Sequence, residues 1–226
     1  MVPDGVLPPW LWMGGWVLAA AALALGLRAT RQDDSLRLIP LAGTMAAVMA
    51  VAMSVEILPL GYEPHLTVLA GVLLGPAYGL LAAFVFNVLR MLLGDGSITL
   101  LGLNTLMLGM ETTGGYLIFR ALRSLHRSAA GMGIAAACAT VLALGVATLV
   151  YLGIIWLGSI DVLLVAEEDF LARAGSPEPG FGAYANLVLI LGSIGWSIEA
   201  VAVGAVVVFL RRVRPSLITA VRAERA

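Results

Sequence analysis

The sequence predicts an all-α integral membrane protein of about seven transmembrane helices, with the N-terminus outside and the C-terminus cytoplasmic. Three observations carry this. Hydrophobic residues make up 61% of the 226 residues and charged residues only 12%, where soluble chains carry about 45–50% and about 25%. Apolar runs of about 20 residues, enough to cross roughly 30 Å of hydrocarbon, recur along the chain. Eleven of the thirteen arginines, which supply all the Lys/Arg charge, fall in alternate connections.

The whole of 1–226 reads as one transmembrane domain. The opening residues carry no positive region ahead of the first apolar run and no small-residue cleavage site, so a removable secretory signal is not expected. The first span covers about 10–27, with Trp10, Trp12 and Trp16 forming an interfacial belt at its start. The second covers 38–60 and holds Glu56. The apolar run from Leu66 to Leu93 contains Gly75-Pro76, and proline breaks a helix; this predicts a short third span, 66–75, and a fourth, 77–93. Gly94-Asp95-Gly96-Ser97 is a turn. The fifth span, 100–122, contains Asn104 and Glu111, and the sixth covers 129–157. A loop, 158–182, carries Glu167, Glu168 and Asp169 and a Gly/Pro-rich tract. The seventh span, 183–210, holds Glu199.

Seven spans place the two chain ends on opposite sides, and arginine decides which is which. With the N-terminus outside, Arg28, Arg31, Arg37, Arg120, Arg123, Arg127, Arg211, Arg212, Arg214, Arg222 and Arg225 fall inside, leaving only Arg90 and Arg173. Asp4, Glu63, Asp95 and the loop acids then share the outer face, where a pocket would attract cations. The setting is the cytoplasmic membrane of a prokaryote, with several passes. Cys138 stands alone in an apolar run, so no disulfide framework or thiolate metal site is available. The sequence has no G-x-x-x-x-G-K-[ST] loop, so ATP hydrolysis by this chain is not expected. No enzyme activity and no nucleic-acid partner are expected.

Two short stretches hold the chemistry. Met1-Val2-Pro3-Asp4-Gly5 offers a primary amine and a backbone amide, and Gly61-Tyr62-Glu63-Pro64-His65-Leu66 carries one of only two histidines. Nitrogen donors of these kinds suit Co2+, Ni2+ or Cu2+. The other histidine, His126, lies between Arg123 and Arg127 and reads as solvated. His65 by itself is equally a helix cap or an interfacial side chain. Glu56, Glu111 and Glu199 lie within spans, where an ionised group costs several kcal/mol unless paired. Glu111 and Glu199 form either a polar relay below a pocket or a hydrogen-bonded pair that fixes helix packing. Arg90 snorkels or pairs with Asp95. Ala42, Ala46, Ala50 and Ser54 form a small-xxx-small stripe that serves a partner helix or internal packing.

At these residues the chain resembles the cobalt/nickel S components (CbiM/NikM type) of energy-coupling factor ABC transporters. Met1-Val2-Pro3-Asp4-Gly5 resembles that family's Met-His-Ile-Pro-Asp-Gly start. The similarity continues at His65-Leu66, Leu73-Leu74-Gly75-Pro76, Gly94-Asp95-Gly96-Ser97-Ile98-Thr99 and Leu101-Gly102-Leu103-Asn104. It ends at Gly195 to Glu199 and Arg214-Pro215-Ser216-Leu217.

The resemblance implies capture of a divalent transition metal, cobalt or nickel, by the terminal amine, the second residue's amide and imidazole, and a later histidine. Here those positions are Met1, Val2 and His65, with Asp4, Glu63, Asp95 and Asn104 as additional ligands or supports. It also implies a transmembrane coupling subunit docked on Ala42, Ala46 and Ala50, ATP-binding subunits, and a small accessory membrane subunit. The second residue departs from the pattern. Three readings stay open: a start site one Met-His downstream of the true one, a site rebuilt with an oxygen from Asp4 or Glu63, or loss of metal binding. The rival functions are an S component for a vitamin and a proton-coupled intramembrane carrier working through Glu111 and Glu199.

Overall fold

The computed structural model describes residues 8–28, 32–55, 57, 62–94, 96–124, 128–165 and 180–218. Among these, six helices of 20 residues or more form the molecule: α1 (Pro9–Arg28), α2 (Gln32–Met53), α3 (Thr67–Leu92), α4 (Leu101–Arg123), α5 (Ala129–Leu157) and α7 (Phe181–Val213). A four-residue α6 (Val162–Val165) and a 3-10 turn (Pro215–Leu217) complete them. Four of the long helices, α1, α3, α5 and α7, are long and apolar enough to cross a membrane.

Boundaries follow local chemistry. Ser128 caps α5, its hydroxyl accepting from the Gly131 N–H at 3.0 Å, as serine does for the orphan N–H groups of a first turn. α7 runs to Val213 and stops two residues before Pro215. It passes the last apolar residue of its span because helical hydrogen bonding extends into the charged turn of Arg211 and Arg212. α2 departs most from expectation, starting at Gln32 and ending at Met53 instead of covering 38–60. Beyond it the chain makes a bridge between Ile57 and Tyr62.

α3 is where the topology is decided. Gly75 has φ 77° and ψ 177°, a conformation that glycine adopts freely and that no helix contains. The two halves fold back on each other. A Cβ built on Gly79 would lie 3.5 Å from Gly71 Cα, whereas eight residues of straight helix cover about 12 Å. Likewise Arg90, near the end of the second half, reaches Glu63, just before the first, at 3.3 Å. The first half, 67–74, is too short to cross a bilayer. The bridge-containing segment before it lets it begin beside the middle of α4, where Gly71 meets the Thr112 backbone.

Close crossings hold the bundle together. The α3–α4 crossing is set by Gly71 against the Thr112 carbonyl and by Gly109 against Leu80. Gly133 and Gly204 face each other across α5 and α7, a Cβ on either lying 2.9 Å from the other's carbonyl oxygen. Such small residues let backbones approach where lipid offers no hydrophobic drive for association. α1 runs alongside α4, with Gly102 against Trp16 and the Trp16 indole donating to the Ile98 carbonyl at 3.1 Å. The N-terminal half of α1, the ends of α2 and α3 and the start of α4 therefore gather at one end.

The Ala42, Ala46 and Ala50 stripe lies inward. Ala42 and Ala46 are buried in the main core cluster and Ala50 packs against it. Internal packing, chiefly with α3, uses this face.

Candidate functional site

Two carboxylates and one six-residue segment make the site. Residues 62–67 enter between α4 and α7, so that Glu111 and Glu199, both near the middle of their helices, meet the N-terminus of α3. Glu199, 1% exposed, accepts three hydrogen bonds. The Tyr62 hydroxyl donates to its Oε2 at 2.7 Å, the His65 N–H to Oε2 at 3.0 Å and the Leu66 N–H to Oε1 at 2.8 Å. Glu111, 5% exposed, accepts from the Thr67 hydroxyl at 2.7 Å and lies 3.5 Å from His65 Nδ1. Two acids at the start of α3 also complement the partial positive charge of a helix N-terminus.

The placement of His65 is specific. Its side chain keeps 29% exposure, yet Nδ1 itself is enclosed and has no hydrogen-bond partner. The Glu111 oxygen stands within ion-pair range, though too far for good hydrogen-bond geometry. Burial alone would lower the imidazole pKa. The Glu111 charge, aided by Glu199 and Glu63, outweighs it and raises the value to about 9. Tyr62 is held strongly in its neutral form by burial and by the Glu199 charge. Its ring lies against α7 at Gly195, one helical turn before Glu199, and 6.3 Å from the His65 ring.

Glu63 is the one acid of the segment itself and pairs elsewhere. It pairs with Arg90 at 3.3 Å. Arg90 is 5% exposed and its Nη1 also lies 3.8 Å from Met53 Sδ. Arg90 is thus buried and ties down the segment instead of snorkelling outward, with the partly exposed Glu63 carboxylate within its reach. Asn104 sits in the first turn of α4, its N–H bonded to the Leu100 carbonyl at 2.8 Å.

Met1, Val2, Asp4, Glu56 and Asp95 lie outside the described residues. Among the described residues no group of three His, Cys, Asp or Glu side chains is arranged to hold a metal ion. What the structure does bring together is His65, Glu111 and Glu199. Sequence reasoning assigns no role to Tyr62, Thr67 or Gly195 individually. The available signal was their position, with Tyr62 and Thr67 bracketing His65 and Gly195 one turn from Glu199.

The family model described as the cobalt uptake substrate-specific transmembrane region, CbiM, matches residues 2–217. The chain belongs to the CbiM family. It is a membrane component of transition-metal uptake, with the polar cluster around His65 at the heart of a CbiM bundle. A protein of Haloquadratum walsbyi named as a metal transport protein is 34% identical over 154 residues, covering 64% of this chain and 71% of its own length. A protein of Archaeoglobus fulgidus named as a fused nickel transport protein, NikMN, is 34% identical over 136 residues. That match covers 57% of this chain and 44% of the archaeal one, so the CbiM chain spans less than half of it. Two crystal structures, of a transition metal transporter and a truncated transition metal transporter, share the fold. Their TM-scores are 0.68 and 0.67 at 22% identity, over 94% and 93% of this chain and 93% and 98% of theirs.

Proposed function

We propose that this CbiM chain is the substrate-capture subunit of an energy-coupling factor transporter, binding Co2+ or Ni2+ from outside the cell through His65. The name of the archaeal relative supports nickel as well as the family's cobalt. One observation carries the proposal: a partly exposed imidazole is oriented by a buried carboxylate, with His65 Nδ1 3.5 Å from Glu111. Metal-ligating histidines donate their second ring N–H to such a carboxylate, which fixes the tautomer and leaves the other nitrogen for the cation. Glu111 stands on the Nδ1 side at ion-pair distance, and Nε2, which gives up its proton on binding, is the ligand atom.

The opening residues complete the site in this reading. α1 begins at the end of the bundle where α4 starts, as the Trp16–Ile98 hydrogen bond supports. In this reading the opening residues reach down from that end to His65, with the Met1 amine and Val2 amide nitrogen as ligands, Asp4 supplying an oxygen and Asp95 and Asn104 supporting the shell. Glu63 serves in that shell through Arg90, holding the segment that carries His65. The orientation is N-terminus out and C-terminus in, within the cytoplasmic membrane of a prokaryote. A transmembrane coupling subunit and ATP-binding subunits, with a small accessory membrane subunit, supply the energy that this chain does not.

The test is metal retention. Full-length protein with an unmodified N-terminus, purified without chelator, should hold Co2+ or Ni2+ by elemental analysis. His65→Ala should abolish retention at unchanged expression. Equal metal content in the alanine variant would end the proposal.

A further inference from the structure

We propose that Glu199 is a positioning residue for metal capture. Its carboxylate clamps the peptide N–H groups of His65 and Leu66, and so holds Leu66 in the backbone conformation that aims the imidazole. This rests on the reading of His65 as a ligand.

Leu66 has φ 52° and ψ 20°, the left-handed region. There the Cβ of an L-residue crowds the following carbonyl oxygen, so residues other than glycine, asparagine and aspartate rarely adopt it. A leucine released at this position would relax to an ordinary φ. That rotation turns the peptide joining it to His65 and swings the ring away from Glu111. Strained backbone of this kind persists only where its surroundings over-determine it.

On the N-terminal side of Leu66 the polar partner is one carboxylate. Glu199 Oε1 takes the Leu66 N–H at 2.8 Å and Oε2 takes the His65 N–H at 3.0 Å. The two N–H groups belong to the consecutive peptides on either side of the His65 Cα, so the carboxylate fixes both; the far side of Leu66 is fixed by α3, whose Ala70 N–H donates to the Leu66 carbonyl at 3.0 Å. Tyr62 holds the carboxylate in turn, donating to Oε2 at 2.7 Å. Gly195 leaves its ring room to lie against α7. Glu111 and Glu199 therefore divide the work: Glu111 faces the imidazole, whereas the hydrogen bonds of Glu199 go to the backbone and to Tyr62. Burial adds to the strength of the clamp, because charge-assisted hydrogen bonds gain in a low-dielectric interior.

The experiment uses the full chain in detergent, metal-free and with an unmodified N-terminus, titrated with Co2+ alone. Affinity and the cobalt d–d absorption bands are both read. Glu199→Gln replaces one of the two accepting oxygens by an NH2 group, which faces a donor instead of accepting from it. It should weaken Co2+ binding by about 10–100-fold, as loss of an orienting partner does, and shift the bands. Leu66→Gly accepts a positive φ without strain, so the loss caused by Glu199→Gln should be much smaller when measured in a Leu66→Gly background. A purely structural glutamate would change folded yield while leaving the bands of the folded fraction unmoved.

The proposal is overturned if Glu199→Gln binds Co2+ with parental affinity and spectrum. It is equally overturned if its loss is the same in both backgrounds. Glu199→Ala repeats the comparison with the acceptor removed; where it fails to fold, the glutamine pair decides. His65→Ala separates the two readings. Parental Co2+ binding in that variant removes the ligand assignment itself, whereas its loss alongside a silent Glu199→Gln removes only the positioning role.

Discussion

Gly195→Ala tests the site through a residue with no polar atom to contribute. A methyl group there would run into the Tyr62 ring at Cγ and Cδ2 and lie 2.7 Å from Cδ1. Contacts this short cannot stand, so either α7 or the ring moves. The ring is tethered, since its hydroxyl is bonded to Glu199 at 2.7 Å, and pushing it aside breaks that bond. Overpacking costs about 1–3 kcal/mol, and a hydrogen bond to a charged group contributes about 1.5–3 kcal/mol. Relief of one relieves part of the other, so the total should be roughly 2–4 kcal/mol. For a chain of this size each kcal/mol lowers the melting temperature by about 2–4 °C, which makes the expected fall about 5–15 °C. The assay is thermal unfolding in detergent at one fixed scan rate, because unfolding of such proteins is commonly irreversible. Tyr62→Ala supplies the control: on that background Gly195→Ala should be nearly silent, giving a large coupling energy in the double-mutant cycle. A Gly195→Ala protein that melts with the parent, or that loses as much without Tyr62 as with it, refutes the reasoning.

Three further outcomes are expected. Gly71→Ala places a methyl against the Thr112 carbonyl oxygen, with the carbonyl carbon at 2.9 Å. Backbone cannot step aside as a side chain can, so a loss of about 3 kcal/mol in thermal stability is expected; a neutral variant would show that the α3–α4 crossing is looser than described. Co2+ at 100 times its dissociation constant should stabilise the parent by about 2.7 kcal/mol, and His65→Ala should lose this increment, read as a metal-dependent melting shift. Tyr151 and Tyr184 join α5 to α7 through their hydroxyls at 2.9 Å. Phenylalanine at either position should cost about 1 kcal/mol, and the double substitution little more than one alone; additive losses would mean that the hydroxyls do not serve each other.

Much of the scaffold was legible because membrane insertion leaves coarse marks. Apolar run length fixes where helices lie, and Gly75-Pro76 announced a break in a 28-residue run that would otherwise read as one long span. The sequence could not say that the break reverses the chain, since proline interrupts a helix without setting the angle that follows. Ends were less visible. α2 stops at Met53 although apolar residues continue to Leu60, because the chain there must turn to deliver residues 62–67 into the bundle, a tertiary demand that hydropathy does not record. Arg90 misled for a related reason. An arginine near a span end ordinarily reaches outward, but here its acid, Glu63, is 27 positions earlier and the helical hairpin brings the two within 3.3 Å.

The site itself was half legible, and the missing half is the more instructive. An imidazole in a membrane chain is conspicuous, and so are glutamates at mid-span, whose cost in lipid demands a partner. What joins them is separated by 44 residues for Thr67 and Glu111 and by 134 for His65 and Glu199, and no periodicity spans such gaps. The partners of Glu199 are harder still to foresee, because two of its three donors are backbone N–H groups, which every residue but proline possesses. A buried carboxylate must be satisfied, and a helix start must place its orphan N–H groups. When α3 begins inside the bundle instead of at its surface, water is not available to do either, and each requirement meets the other. Glu199 is thus explained by the depth at which α3 starts, and that depth by the hairpin at Gly75. His65 reaches its place between the acids as a consequence of where the chain was forced to turn.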